Sequence, residues 1–91
     1  MMLWMSNLRP GTSDEALRAF VGKYARDVEC VHVRRFEGDG SRPAALLSFT
    51  GGTWASVPRL ALRLHGMYWQ GRALSCSAER GLLSRTTARL G

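Results

Sequence analysis

The strongest constraint in this chain is a change of hydrophobic period. Ala16, Leu17, Phe20, Val21 and Tyr24 recur at three- and four-residue intervals, which places them on one stripe of a helix with Arg18, Gly22 and Lys23 off it. Both sides of that stripe read differently. Residues 2–8 are apolar at first and are stopped by Arg9-Pro10-Gly11, and Val28, Val31 and Val33 alternate with Cys30, His32 and Arg34. A chain that switches between periods of 3.6 and 2 must pack a helix against a sheet, so all-helical and all-strand folds are excluded.

The remaining elements follow from punctuation. Thr12 and Glu15 have the spacing of a capping box, with Asp14 and Glu15 suited to the positive end of the first helix. Glu37-Gly38-Asp39-Gly40-Ser41 is a turn cluster, after which residues 44–49 are extended again and close a hairpin with the preceding strand. Gly51-Gly52 ends it, and Leu60, Ala61 and Leu64 return to helical spacing. Proline is tolerated only in a first helical turn, so Pro58 fixes the start of this second helix at residues 55–57, with its end before Gly66. Residues 67–72 form a short hairpin-like excursion and 73–78 a last strand. The expected order is strand, helix, strand, strand, helix, strand: an α+β, ferredoxin-like βαββαβ arrangement with a four-stranded antiparallel sheet and two helices on one face.

The expected core is Leu3, Met5, Leu17, Phe20, Tyr24, Val31, Val33, Ala45, Leu47, Phe49, Leu60, Leu64, Leu74 and Cys76. At 91 residues the chain is one small domain, able to bury roughly 60–65% of its unfolded surface around a single core. Residues 1–78 are read as that domain and 79–91 as a basic tail carrying Arg80, Arg85 and Arg89. No apolar run approaches the ~18 residues of a membrane span, and no basic segment precedes the apolar start as in a secretion signal.

Thirteen basic residues, all arginine except Lys23, stand against seven acidic ones for a net charge of +6. Such a balance draws polyanions, and arginine both forks onto phosphate and stacks on bases. Cys30 and Cys76 make no disulfide framework, and the cytoplasm (or nucleus, in a eukaryote) is the expected compartment. The two cysteines are expected unpaired on opposite sheet faces. Cys30 and His32 would share one face, but only His65 and Cys76 remain as further zinc ligands, in segments that look remote, so no metal or other cofactor is expected. No phosphate-binding glycine loop, nucleophile elbow or His-Glu-x-x-His is present, and no catalytic residues are assigned.

Leu3-Trp4-Met5-Ser6-Asn7-Leu8, the Leu17…Phe20…Tyr24…Val28 helix, Leu64-His65-Gly66 and Gln70-Gly71-Arg72-Ala73-Leu74 occur in an order that resembles the RNA recognition motif family. The resemblance runs from residue 2 to about 78. It implies single-stranded RNA as the partner, gripped on the open sheet face by stacked aromatic side chains. The family's octamer motif aligns with Arg42-Pro43-Ala44-Ala45-Leu46-Leu47-Ser48-Phe49. It keeps the basic start and the core aromatic, but Ala44 and Leu46 stand where the two RNA-facing aromatics belong. Alternation offers replacements: Trp4 and Ser6 on the first strand, His32, Arg34 and Phe36 on the second, and Ser75 and Ser77 on the last. Trp4 would stack one base, His32 with Phe36 a second, and Arg34, Arg42, Arg72 and the tail would hold phosphate around a shallow patch of Ala44 and Leu46. Tyr68 and Trp69 are read as packing of the small hairpin. The alternative is a protein-interaction module docking a partner on the same apolar face.

Overall fold

The computed structural model describes residues 1–79. Four sheet strands and two helices make up this segment together with a minor two-stranded hairpin: β1 (Met2–Ser6), α1 (Asp14–Gly22), β2 (Val28–Phe36), β3 (Ala44–Gly51), α2 (Ser56–Leu64), β4 (Tyr68–Trp69), β5 (Arg72–Ala73) and β6 (Ser75–Glu79). β2, β3, β1 and β6, in that spatial order, make one antiparallel sheet of four strands, and β4 pairs only with β5. The α+β class with two helices and a four-stranded antiparallel sheet is therefore as expected.

Strand alternation builds the core from one sheet face. Leu3 and Met5 of β1, Ala45, Leu47 and Phe49 of β3, and Cys76 of β6 are buried with Leu17, Phe20 and Val21 of α1 and Val57, Leu60, Ala61 and Leu64 of α2. Leu8, Val21, Val57 and Ala61 join the expected set, and Tyr24 packs at its margin.

Val31 does not belong to the core: it is 53% exposed. The cause is a β-bulge. Cys30 faces Phe49 and His32 faces Ser48, so Val31 is the extra residue on β2. One inserted residue reverses the facing of everything before it. Cys30 thereby turns toward the helices, where it packs against the core, while His32 stays on the open face. Cys30 and Cys76 are thus on the same side of the sheet rather than on opposite sides, and both are free thiols.

The cap of α1 is also displaced by one residue. Ser13, in extended conformation, accepts a hydrogen bond from the Ala16 amide at 3.0 Å. Thr12 is buried instead, with its hydroxyl 2.7 Å from the Arg9 carbonyl and 2.8 Å from the Gln70 side-chain amide. α2 starts where Pro58 requires. The Ser56 hydroxyl ties its first turn to the Asp27 carboxylate and accepts from the Thr53 amide at 2.8 Å. Gly52 allows that approach: its φ is +67°, and a Cβ there would lie 2.5 Å from Ser56 Oγ and 2.6 Å from Val28 Cγ1.

The excursion after α2 is a two-residue hairpin with Gln70 and Gly71 both at positive φ (54° and 83°). That turn twists with its strands. Arg72 and Ala73 belong to this hairpin, so the last sheet strand starts at Ser75, later than expected. Trp69 lies on Phe20, ring centroids 4.4 Å apart, and Leu74 buries beside it. The tail expected at 79–91 begins with Glu79 still in β6, and its other residues lie outside those described.

Candidate nucleic-acid interface

The sheet face away from the helices presents its residues in rows fixed by register. Arg34, Leu46, Trp4 and Ser77 form one row across β2, β3, β1 and β6, and His32, Ser48, Met2 and Glu79 the next. Phe36 faces Ala44 beyond the first row.

Trp4 and Phe36 meet across the intervening strand, with ring centroids 5.3 Å apart and planes inclined at 54°. β3 makes this contact possible because it carries no aromatic here. Ala44, opposite Phe36, is 7% exposed, so it serves as the floor of the aromatic pair rather than as an accessible patch. Leu46, opposite both Arg34 and Trp4, remains half-buried. The Arg34 guanidinium carbon lies 5.3 Å from the Phe36 centroid, within cation–π range. Trp4, Phe36, Arg34, Ala44 and Leu46 thus form one cluster.

Other expected members sit apart from it. His32 and Phe36 are separated by four residues of β2, about 13 Å of strand, with Arg34 between them on the same face. They cannot sandwich one base. Ser6 directs its hydroxyl to the Ser75 carbonyl at 3.4 Å. Arg42 is exposed in the β2–β3 loop beside Asp39. The Asp39 carboxyl accepts from the Ser41 amide (2.9 Å) and hydroxyl (2.7 Å); these bonds, and to a lesser degree the Arg42 charge, hold it below its ordinary range.

Arg72 has a different task. Its guanidinium donates to the Leu8 carbonyl at 3.0 Å and the Ser41 carbonyl at 2.8 Å. Both bonds come from Nη1, which joins the loop after β1 to the β2–β3 loop, so that nitrogen serves the backbone rather than the sheet face.

Alternation alone would have added Met2, Ser48 and Glu79 to the open face. Arg35 lacked any sequence signal. It points toward the helix side, donates to the Thr12 carbonyl, and pairs with Asp14 at 3.1 Å and Glu37 at 3.2 Å. The Glu37 carboxylate is off the line of the buried Nε–H, which makes no hydrogen bond there. Asp14 is thus both a first-turn acid of α1 and an anchor for β2.

His65 and Cys76, remote in sequence, are neighbours: the Cys76 amide donates to His65 Nδ1 at 3.0 Å. Cys30 and His32, close in sequence, are divided by the bulge. No group of three or more His, Cys, Asp or Glu residues able to hold a metal occurs among the described residues. No described helix is long and apolar enough to cross a membrane. Comparison with protein families, with curated proteins and with solved structures finds no match to this chain.

Proposed function

We propose that the chain is a non-catalytic, RNA-recognition-motif-type module of ferredoxin-like topology that binds single-stranded RNA on its open sheet face. The reading rests on one observation: a tryptophan and a phenylalanine are paired on that face with an arginine beside them. Trp4 stacks one base, and Phe36, backed by Arg34, receives its neighbour. Arg42 and Arg34 hold phosphate, and His32 lies along the strand for a third nucleotide. The element order and the β2-β3-β1-β6 sheet order support the topology, and the +6 charge supports the ligand.

Each stacked base contributes ~1–3 kcal/mol in single-strand binders. The octamer positions occupied by Ala44 and Leu46 add no stacking plane, so affinity is modest and sequence preference weak. Fluorescence anisotropy with labelled mixed-sequence RNA tests this at low and physiological salt. Trp4→Ala and Arg34→Ala should each weaken binding about tenfold or more, and binding should fall steeply with salt as counterions are released. Unchanged affinity in both variants removes the assignment.

A second reading has its own support. Leu46 in place of an aromatic leaves an aliphatic ledge beside Trp4, which suits a peptide or helix from a protein partner. In that case Trp4→Ala still abolishes binding of the partner, but salt has little effect.

A further inference from the structure

On the other side of the sheet, α2 turns an apolar surface to solvent. Trp54, in the turn leading into the helix, and Leu62, near its end, are each 80% exposed, with Pro58 midway at four-residue spacing. The helix rises about 9 Å from Ser56 to Leu62, and Trp54 stands two residues before it. Neither side chain has a part in the core, which α2 supplies from Val57, Leu60, Ala61 and Leu64. Isolated exposed leucines are ordinary, but an exposed tryptophan with arginines alongside has the composition of an interaction hot spot, and Leu62 adds apolar surface further along the helix.

The charge beside this stripe is of one sign. Arg59 and Arg63, one turn apart on α2, line a cleft of about 300 Å³ whose opposite wall carries Lys23 and Arg26. The Arg63 guanidinium carbon rests 5.2 Å from the Tyr24 ring centroid. Asp27, the one acid in the cleft, is bonded to Ser56. The ion pairs found among the described residues belong to Arg35, so these four cations have no carboxylate partner there. α2 moreover opens with no acid in its first turn and carries Arg59 as its fourth residue. A cation near the positive end of a helix is unfavourable, and an incoming carboxylate would reverse the sign of that interaction.

We infer that the outward face of α2 with the adjoining cationic cleft is a docking surface for an acidic amphipathic helix of a partner protein. The partner's apolar side chains lie along Trp54 and Leu62, and its carboxylates meet Arg59, Arg63 and the cleft. Charge complementarity selects an acidic partner. Two apolar contacts, one within the helix and one just before its start, suit large apolar side chains spread over successive turns of a second helix, and Leu62 and Pro58 provide no plane for a base. The surface is independent of the RNA reading, since it lies on the opposite side of the sheet.

Selection of a random 16-residue peptide library on the immobilised full chain tests the inference. The enriched peptides should combine Glu or Asp with large apolar residues at three- and four-residue spacing. Their affinity should fall about tenfold or more with Leu62→Glu, a substitution on an exposed position that leaves the core intact. Arg59→Glu with Arg63→Glu should abolish binding, and replacing the peptide's acids by lysine should restore it. Absence of enrichment, enriched peptides lacking acids, or affinity indifferent to Leu62→Glu overturns the inference. So does Leu62-dependent binding of phosphatidylserine vesicles or single-stranded RNA with no peptide binding. RNA binding lost in Trp4→Ala but intact in Leu62→Glu keeps the two surfaces distinct.

Discussion

Trp69 stacks on Phe20 at 4.4 Å with the ring planes 18° apart, so a two-residue-strand hairpin is fastened to the first helix by one aromatic contact. Tyr68, its neighbour in sequence, points to solvent at 75% exposure. Trp69→Ala should cost about 2–3 kcal/mol in urea unfolding, at the low end for aromatic truncation because the ring is part-exposed. Tyr68→Ala should stay within about 0.5 kcal/mol. Equal costs would mean that the hairpin is not held through this stack.

The bulge on β2 makes an equally direct contrast. Val31→Ser should change stability by less than about 0.5 kcal/mol, whereas Val33→Ala, two residues on and buried, should cost about 1–2.5 kcal/mol. A regular strand would give similar losses at both positions, and chemical denaturation of the two variants decides between them.

What was legible in the sequence is the part governed by local periodicity. The α1 stripe, the hairpin between β2 and β3, and the start of α2 at Pro58 needed only side-chain spacing and backbone rules, and they formed where expected. The bulge was hidden because Val28, Val31 and Val33 fit an alternating pattern well enough if Val31 is counted inward; only pairing with β3 shows that one residue is surplus. Tertiary contact also decided the α1 cap. Thr12 and Ser13 are chemically equivalent caps, and Gln70 claims the first of them. In the site, alternation located Trp4, Arg34 and Phe36, but their meeting across β3 depended on the small side chain at Ala44, and the fate of Arg72 depended on two loops distant in sequence.

Arg72→Ala separates a structural role from a binding one. Loss of its hydrogen bonds to the Leu8 and Ser41 carbonyls should destabilise the fold by about 1–3 kcal/mol and loosen both loops in amide hydrogen exchange. RNA affinity of the folded variant, measured well below its melting temperature, should stay within about threefold of the parent. A tenfold loss without destabilisation would return Arg72 to the interface.

The two thiols should respond differently to alkali. Burial pushes the Cys76 thiol up to about 11 from its ordinary 9.0. Burial also raises Cys30, partly offset by a hydrogen bond from the His32 backbone and by the nearby Arg18 charge. In the native protein at pH 8, Cys30 should therefore be modified by a thiol reagent before Cys76. Between pH 9 and 11 the unfolded chain loses the Cys76 proton while the folded chain keeps it. That contribution to stability is complete below pH 9 and is lost as pH rises through the folded value. Comparing the pH dependence of unfolding with that of Cys76→Ala isolates it: the parent should lose more stability across this window than the variant.

Trp4 and Phe36 should act on RNA as a unit. If each ring orders the other, the combined loss in the double alanine variant should be smaller than the sum of the single losses, by about 0.5–1.5 kcal/mol. Strict additivity in a double-mutant cycle would mean that the rings engage RNA independently despite their contact.

The two borders of the sheet have been modified by unrelated means. On β2 the surplus Val31 interrupts the ladder, and on β6 the outward Cys76 amide is taken by His65. A neighbouring chain seeking to extend the sheet meets an irregular rim on one side and an occupied donor on the other. Growth by strand addition, the route to both edge-docked peptides and fibrous aggregates, is thus disfavoured at both described edges.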